Sequence, residues 1–433
     1  MQRDRTTGTL IAPRSARLGA AVAALTGLLA LSACTSGGAG GGSSSSVGTS
    51  TAPGSSHADE SSSPAAEAAV ISTNVAAGDA PVSPAKPISV SIANGKLTSV
   101  KMVNQAGKSV RGALAGDGTS WRTTEVLGYS KTYRITATGA NTAGAAVTKQ
   151  AKVTTITPDN MTMPYIQTIA GGTVANGGKY GVGMVVKVHF DEAVDRAKAE
   201  RTLKVTTTPR VEGGWYWDNS KDAYWRPKAY YAPGTKVSVS AKVYGVDVGS
   251  GLYGQDDQSV SFSIGPKHYA VANAKTHHVK VYFSDKLVRD MPTSMGQGGT
   301  TQGKFGPIYL WTMPGVYTVI GHENPATMSS DSYGLPKNSP LGYAPEKVYW
   351  STKISTDGIY LHQLNATVWA QGHQNLSHGC LNLNLSNSRW FYKNTVLGDV
   401  VDVVHSGGPA IQFFQGGQWS VPWSKWVAGS ALH

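Results

Sequence analysis

Period-two runs bounded by turn residues constrain this chain more than any other feature. Ile88-Ser-Val-Ser-Ile92, Val237-Ser-Val-Ser-Ala-Lys-Val243, Val260-Ser-Phe-Ser-Ile264 and Val279-Lys-Val-Tyr-Phe283 place apolar side chains at alternate positions. That is the pattern of a strand with one buried face. Asn94-Gly95 follows the first run as a strong turn signal. Glycine supplies 51 of the 433 residues and charged residues only 15%, against about 7% and about 25% in average domains. The chain is rich in turns and poor in the solvated faces of long helices. Strands recurring at spacings of about 8–12 residues predict β-sandwiches.

The organisation along the chain follows from composition. Arg3, Arg5, Arg14 and Arg17 precede an apolar run from Leu18 to Ala33, which ends in Leu31-Ser-Ala-Cys34. A basic start, a short apolar core and small residues before a cut describe a secretory signal over residues 1–33. The core is short for a membrane span, which needs about 20 residues. Small residues directly before a cysteine resemble the lipobox of bacterial lipoproteins. That resemblance implies cleavage before Cys34 and lipidation of Cys34, with the membrane as a partner through the lipid. Residues 34–80 are Gly/Ser-rich and predict a flexible tether. Its root-mean-square reach is about 35–40 Å and its full extension about 150 Å.

Residues 81–155 and 156–267 each predict a sandwich, and residues 268–406 a further β-rich unit. The aromatic tail, residues 407–433, is expected to pack on that last unit. Short helices are expected from Asp191 to Leu203, capped by Asp191, and from Ser386 to Leu397, capped by Ser386 and stopped by Gly398. Trp215, Tyr216, Trp217 and Trp225 read as sandwich core and domain-interface packing. The formal net charge of +12 favours an anionic neighbourhood but is too dispersed to indicate nucleic acid.

Two cysteines exclude a disulfide scaffold and a multi-cysteine metal cluster. With Cys34 acylated, Cys380 is the only remaining thiol. Ile359-Tyr-Leu-His362 is followed, after fourteen residues, by Ser377-His-Gly-Cys-Leu-Asn382. A thiol attacks as thiolate, and a nearby imidazole can take its proton. Cys380 lies eighteen residues beyond His362, too far for one helix face but within reach of two neighbouring strands. Gly379 removes a side chain beside the nucleophile, so the N–H groups of Gly379 and Cys380 are expected oxyanion donors. Ser377 and Asn382 are expected to orient the ring of His378 or the loop. Zinc held by His362, His373, His378 and Cys380 is the competing enzymatic reading. The spacing fits no zinc pattern, and no carboxylate lies between Asp357 and Asp399 to act as base. A non-catalytic wall-binding lipoprotein is the third reading. His277, His278 and His322 read as solvent-exposed.

The pattern H-x14-S-H-G-C-L-N resembles the signature of the L,D-transpeptidase (YkuD-type) catalytic domain. From about residue 155 onward the chain resembles mycobacterial-type members. Val211-Glu-Gly-Gly-Trp-Tyr-Trp217, Met291-Pro-Thr-Ser-Met-Gly296, Tyr333-Gly-Leu-Pro336, Gln371-Gly-His373 and Trp419-Ser-Val-Pro-Trp423 carry the likeness. The resemblance implies a mostly β chain: two immunoglobulin-like β-sandwich domains, then a β-rich YkuD-type catalytic domain with one or two short helices. It implies Cys380 as the acylated nucleophile, His362 as its base, His378 as the second motif histidine, and Ser377, Gly379 and Asn382 as the motif loop. Met328, Tyr333 and Tyr343 match positions that line the substrate pocket, partly under a lid. Gln363 stands where a serine is usual after the base, and Ala366 where a pocket tryptophan is usual. The implied partners are peptidoglycan tetrapeptide stems, as donor and acceptor, and carbapenem antibiotics. The implied reaction releases a terminal D-Ala, forms 3→3 cross-links and needs no cofactor or metal. The implied location is the outer face of the cell membrane, lipid-anchored, with the catalytic domain in the wall.

Overall fold

The computed structural model describes residues 66–75 and 80–433. The signal segment, Cys34 and most of the tether lie outside the described residues. The first sandwich begins earlier than the boundary at Pro81. Val70–Thr73 pairs antiparallel with Ser89–Ala93, so a run of β-branched residues inside the compositionally soft segment is part of the sheet. Its sheet runs in the order Val70–Thr73, Ser89–Ala93, Ser120–Thr123, Gly112–Leu114, and faces a second sheet of Gly95–Asn104, Thr132–Asn141 and Ala146–Thr154. Ile88, Val90, Ile92, Met102, Trp121 and Ile135 fill the space between them. Asn94 adopts the positive φ expected of a turn, at 55°. It passes the chain from one sheet to the other, not round a hairpin, since the strands on either side of it do not pair.

The second sandwich packs a sheet of Lys179–Tyr180, Gln258–Ile264, Lys236–Ala241 and Leu203–Thr208 against one of Gly213–Trp217, Asp222–Pro227, Val186–Phe190 and Pro164–Gln167. Trp215, Trp217 and Trp225 belong to its core. The Trp217 indole N–H donates to Glu200 at 2.7 Å, which satisfies a buried carboxylate. The expected helix after Asp191 is shorter, Arg196–Glu200, and Asp195 caps it. Asp191 is occupied elsewhere, accepting from the Thr162 hydroxyl and the Met163 N–H. The two sandwiches meet at a polar joint. Tyr129 donates to the Gly254 carbonyl at 2.7 Å and accepts from Gly245 N–H at 2.7 Å. Tyr244 donates to the Leu127 carbonyl at 2.6 Å, and the two rings are 4.9 Å apart.

Beyond residue 267 a five-stranded mixed sheet forms in the order Lys286–Pro292, His278–Phe283, His268–Asn273, Val400–Val404, Gly315–Thr318. The returning strand Val400–Val404 pairs parallel with His268–Asn273. A second sheet runs Gly321–Glu323, Ser351–Lys353, Tyr360–Gln363, Leu381–Leu383. The core between the sheets includes Met291, Tyr317, Leu361, Leu381, Leu383 and Phe391. The helix that follows spans Leu385–Asn394 and is capped by Asn384, whose side chain accepts from Asn387 N–H. Asn384 takes the place expected of Ser386 because it ends the preceding strand with the extended backbone a cap requires.

The aromatic tail does not pack on the last unit alone. Phe413 lies 4.9 Å from the Tyr216 ring and 5.0 Å from the Tyr224 ring of the second sandwich. The Arg226 guanidinium sits 4.7, 5.3 and 4.5 Å from the rings of Trp419, Trp423 and Trp426. The same segment reaches the last unit through Ile411, whose N–H donates to the Pro314 carbonyl at 3.0 Å. An aromatic-rich tail has more apolar area than one face can cover, so it is buried between two.

Candidate active site

Tyr360–Gln363 and Leu381–Leu383 run parallel, with Leu361 opposite Leu381 and His362 opposite Asn382. Strand alternation then divides the residues. Leu361, Leu381 and Leu383 point into the core. His362 and Asn382 therefore share the opposite face. Carried back one residue, the register brings Cys380 beside Tyr360 on that face. Two strands thus bring together an imidazole and a thiol eighteen residues apart in the chain.

His362 is 4% exposed. Its Nδ1 lies 3.0 Å from the Gln363 carbonyl. A carbonyl only accepts, so Nδ1 carries the proton and Nε2 keeps the lone pair. Burial lowers the pKa to about 4, partly opposed by that same carbonyl. The ring is neutral at pH 7 with Nε2 as the basic atom. Cys380 is half-buried, and its thiol donates to the Gly358 carbonyl at 3.6 Å. Burial pushes the thiol up to about 11, against the Tyr360 N–H, and the Asp357 carboxylate raises it further. The resting pair is a neutral thiol and a neutral imidazole, not a thiolate–imidazolium pair.

The motif loop corrects one expectation. Gly379 N–H is taken by the Ser377 hydroxyl at 3.0 Å, and that hydroxyl donates to the Cys380 carbonyl at 2.6 Å. Ser377 therefore shapes the loop and removes Gly379 N–H from oxyanion duty. No partner for Cys380 N–H appears among the described residues, which leaves it as the available donor. Gly379 is required for conformation, with φ at 148°, more than for space. A Cβ there would come no closer than 3.4 Å to any neighbour, the Trp311 carbonyl oxygen. The Asn382 backbone exchanges bonds with Ser294 at 2.9 and 3.2 Å, and the Ser294 hydroxyl accepts from Leu376 N–H at 3.0 Å, one residue before Ser377.

His378 is half-buried, its pKa lowered by burial and partly restored by the Leu341 carbonyl. Its Nε2 is buried with no partner among the described residues. The Tyr333 and Tyr343 rings lie 6.4 and 5.5 Å from it. Both tyrosines belong to an arm that begins with Ala326–Met328 paired to Glu346–Val348. Ser330 closes the arm, donating to the Tyr343 carbonyl and accepting its N–H, both at 2.9 Å. Met328 pairs with Glu346 at the base of this arm. Gln363 falls on the Leu361 side of its strand, and its amide donates to Asn365 at 3.2 Å. Its backbone carbonyl, not its side chain, serves His362.

Several contributors had no local signal in the sequence. Thr312 donates to the Gly379 carbonyl at 2.7 Å and accepts from Gly296 N–H at 2.9 Å. Asn375 accepts from Met295 N–H at 2.9 Å and donates to the Ala274 carbonyl at 3.0 Å. These are loop-to-loop bonds that no periodicity reveals. Gly296 is fixed by space, since a Cβ would lie 2.3 Å from Thr312 N. Gly296→Ala is expected to destabilise the protein by about 1–3 kcal/mol through overpacking, read as a lower midpoint in thermal unfolding.

His277, His278 and His322 are half-buried, not solvent-exposed. They pair with Asn375 at 2.9 Å, Asp290 at 2.6 Å and Thr395 at 3.2 Å. No group of three or more His, Cys, Asp or Glu residues able to hold a metal occurs among the described residues, and His373 is exposed. No helix among the described residues is long and apolar enough to cross a membrane.

Residues 267–403 match the YkuD family, the L,D-transpeptidase catalytic domain, and residues 79–247 match the bacterial Ig domain family Big_10. The chain is 42% identical over 347 residues to L,D-transpeptidase 2 of Mycobacterium tuberculosis (strain CDC 1551 / Oshkosh), covering 80% of this chain and 81% of that protein. It is 35% identical over 363 residues to L,D-transpeptidase 5 of Mycobacterium tuberculosis (strain ATCC 25618 / H37Rv), covering 82% and 75%. Among solved structures, LD transpeptidase LdtMt1 in complex with imipenem aligns with TM-score 0.45 and 28% identity, over 56% of this chain and 99% of that one. An L,D-transpeptidase from Mycobacterium smegmatis aligns with TM-score 0.43 and 29% identity, over 55% and 98%.

Proposed function

We propose, on the premise that this chain belongs to the L,D-transpeptidase family, that it forms 3→3 cross-links in peptidoglycan through an acyl-enzyme on Cys380. The observation that carries the reading is the placement of Cys380 and His362 on one face of a parallel strand pair, with Nε2 of His362 left free by the Gln363 carbonyl. His362 Nε2 takes the thiol proton as the sulfur attacks the carbonyl of the third stem residue of a tetrapeptide. Cys380 N–H faces the oxyanion that develops. Collapse breaks the amide bond, the D-Ala amine leaves with the proton from His362, and a thioester remains. The side-chain amine of a second stem then attacks the thioester, forms the new amide and returns the thiol. The thioester preserves the acyl group's reactivity, so the exchange needs no nucleotide or metal.

His378, Tyr333, Tyr343 and Met328 form the wall that receives the stem in this reading. Carbapenems acylate the same sulfur; imipenem and faropenem name the ligands of two related structures. Cys34 carries the lipid, the tether lifts the sandwiches from the outer membrane face, and the catalytic domain works within the wall. Intact-protein mass spectrometry after incubation with a disaccharide tetrapeptide or a carbapenem tests the chemistry. A single adduct mapped to Cys380 supports it, and an adduct elsewhere or none overturns it. Lipidation is read separately, as a mass increase on a peptide beginning at Cys34.

A further inference from the structure

The thiol of Cys380 rests on the carbonyl of Gly358, and the turn that presents this carbonyl has an unusual set of supports. Asp357 accepts from the Ser355 hydroxyl at 2.5 Å through one carboxylate oxygen. Ser355 in turn accepts from Ile359 N–H at 2.8 Å. The other oxygen of Asp357 accepts from the Gln415 amide at 2.6 Å. Gln415 belongs to the C-terminal tail and is 5% exposed. Its carbonyl oxygen is used by Gln412 N–H at 2.8 Å, so the amide cannot turn over without losing that bond. Its backbone carbonyl accepts from Thr356 N–H at 3.1 Å. Two residues before it, Phe413 lies against Tyr216 and Tyr224 of the second sandwich.

We propose that Gln415 is a positioning residue for Cys380: it fixes the Ser355–Ile359 turn through Asp357, and the second sandwich holds the nucleophile's seat through it. The proposal rests on Cys380 being the nucleophile, and it extends that reading from the catalytic domain to the tail. A turn released from Gln415 shifts the Gly358 carbonyl and with it the aim of the thiol. Displacements of about 1 Å at a reacting group cost up to about a hundredfold in rate.

The bond has a polarity that a swap can test. Q415E sets carboxylate against carboxylate. D357N sets amide against amide while keeping an oxygen for Ser355. The double variant D357N/Q415E reverses donor and acceptor and restores the bond. The full chain and these three variants are followed in two assays, with every adduct mapped to Cys380 by mass spectrometry. One is the rate of carbapenem acylation; the other is iodoacetamide alkylation against pH, which needs no transpeptidase activity. Each single variant is expected to acylate at least about tenfold more slowly and to shift the alkylation profile. The double variant is expected to return within about threefold of the parent in acylation and to recover its profile, which a general loss of stability would not produce. Single variants that match the parent in both assays overturn the proposal, and so does a double variant no better than the slower single. A parent chain that is alkylated but never acylated overturns the proposed function instead, and the alkylation profiles still decide the role of Gln415.

Discussion

Cys380→Ala is expected to abolish carbapenem adduct formation and tetrapeptide turnover while leaving the fold in place. Deleting an activated nucleophile costs about 10⁶ in rate in enzymes whose nucleophile and base act as a unit. Cys380 and His362 share one sheet face, so the loss here is expected to reach the assay floor. Stability should change little. The sulfur makes one weak hydrogen bond, to Gly358, and the residue is only half-buried, so the expected cost is about 1 kcal/mol or less. Adduct mass and thermal unfolding, measured on the same preparation, check both halves. A persistent adduct on the alanine variant would place the chemistry elsewhere.

The second large effect concerns the base and the shape of the pH profile. His362→Ala is expected to slow acylation by about 10²–10⁴, the usual worth of a positioned general base. In the parent, the base is competent once its ring is neutral, above about 4. The thiol stays protonated up to about 11. The acylation rate should therefore be flat from about pH 5 to about pH 9, in contrast to a site whose base is a solvated imidazole, where the rate rises through the ordinary value of about 6.5. A stopped-flow series over that range, monitoring loss of carbapenem absorbance, decides between them, and an acid limb centred near 6.5 would exclude a buried neutral base. The same burial ties stability to pH. The unfolded chain binds the proton near the ordinary value of 6.5 and the folded chain only near 4. Proton uptake thus favours unfolding, and stability contributed by the neutral ring is lost as pH falls from about 6.5 toward 4.

The residues of the candidate site were more legible than the residues that hold them. His362, Ser377, Gly379 and Cys380 sit in two short local patterns, and apolar alternation around His362 is enough to place it on a strand face. The strand Val70–Thr73 was obscured because small residues, alanine above all, surround it, and composition averages over the four residues that matter. The role of Gly379 N–H was misread for a different reason. The Ser377 hydroxyl claims it, a contact set by loop geometry, and the choice between Gly379 and Cys380 as oxyanion donor turns on that single bond. Thr312, Asn375 and Gln415 act across long sequence separations, where no periodic signal exists, whereas the Asn384 cap is a local contact with Asn387 that lay two residues from the expected Ser386. The tail's aromatic content announced that it would be buried, but not that Arg226 would sit among three of its indoles.

The Tyr129–Tyr244 joint bears on how the parts of the enzyme move together. Two sandwiches linked by free chain would swivel like beads, and the groove would sample every orientation at every radius. Here two tyrosine hydroxyls and a pair of tilted rings clasp one sandwich to the next, so the pair behaves as a strut. A strut turns as one piece, so any tilt of the first sandwich passes to the second and, through the aromatic tail lodged against it, to the catalytic unit.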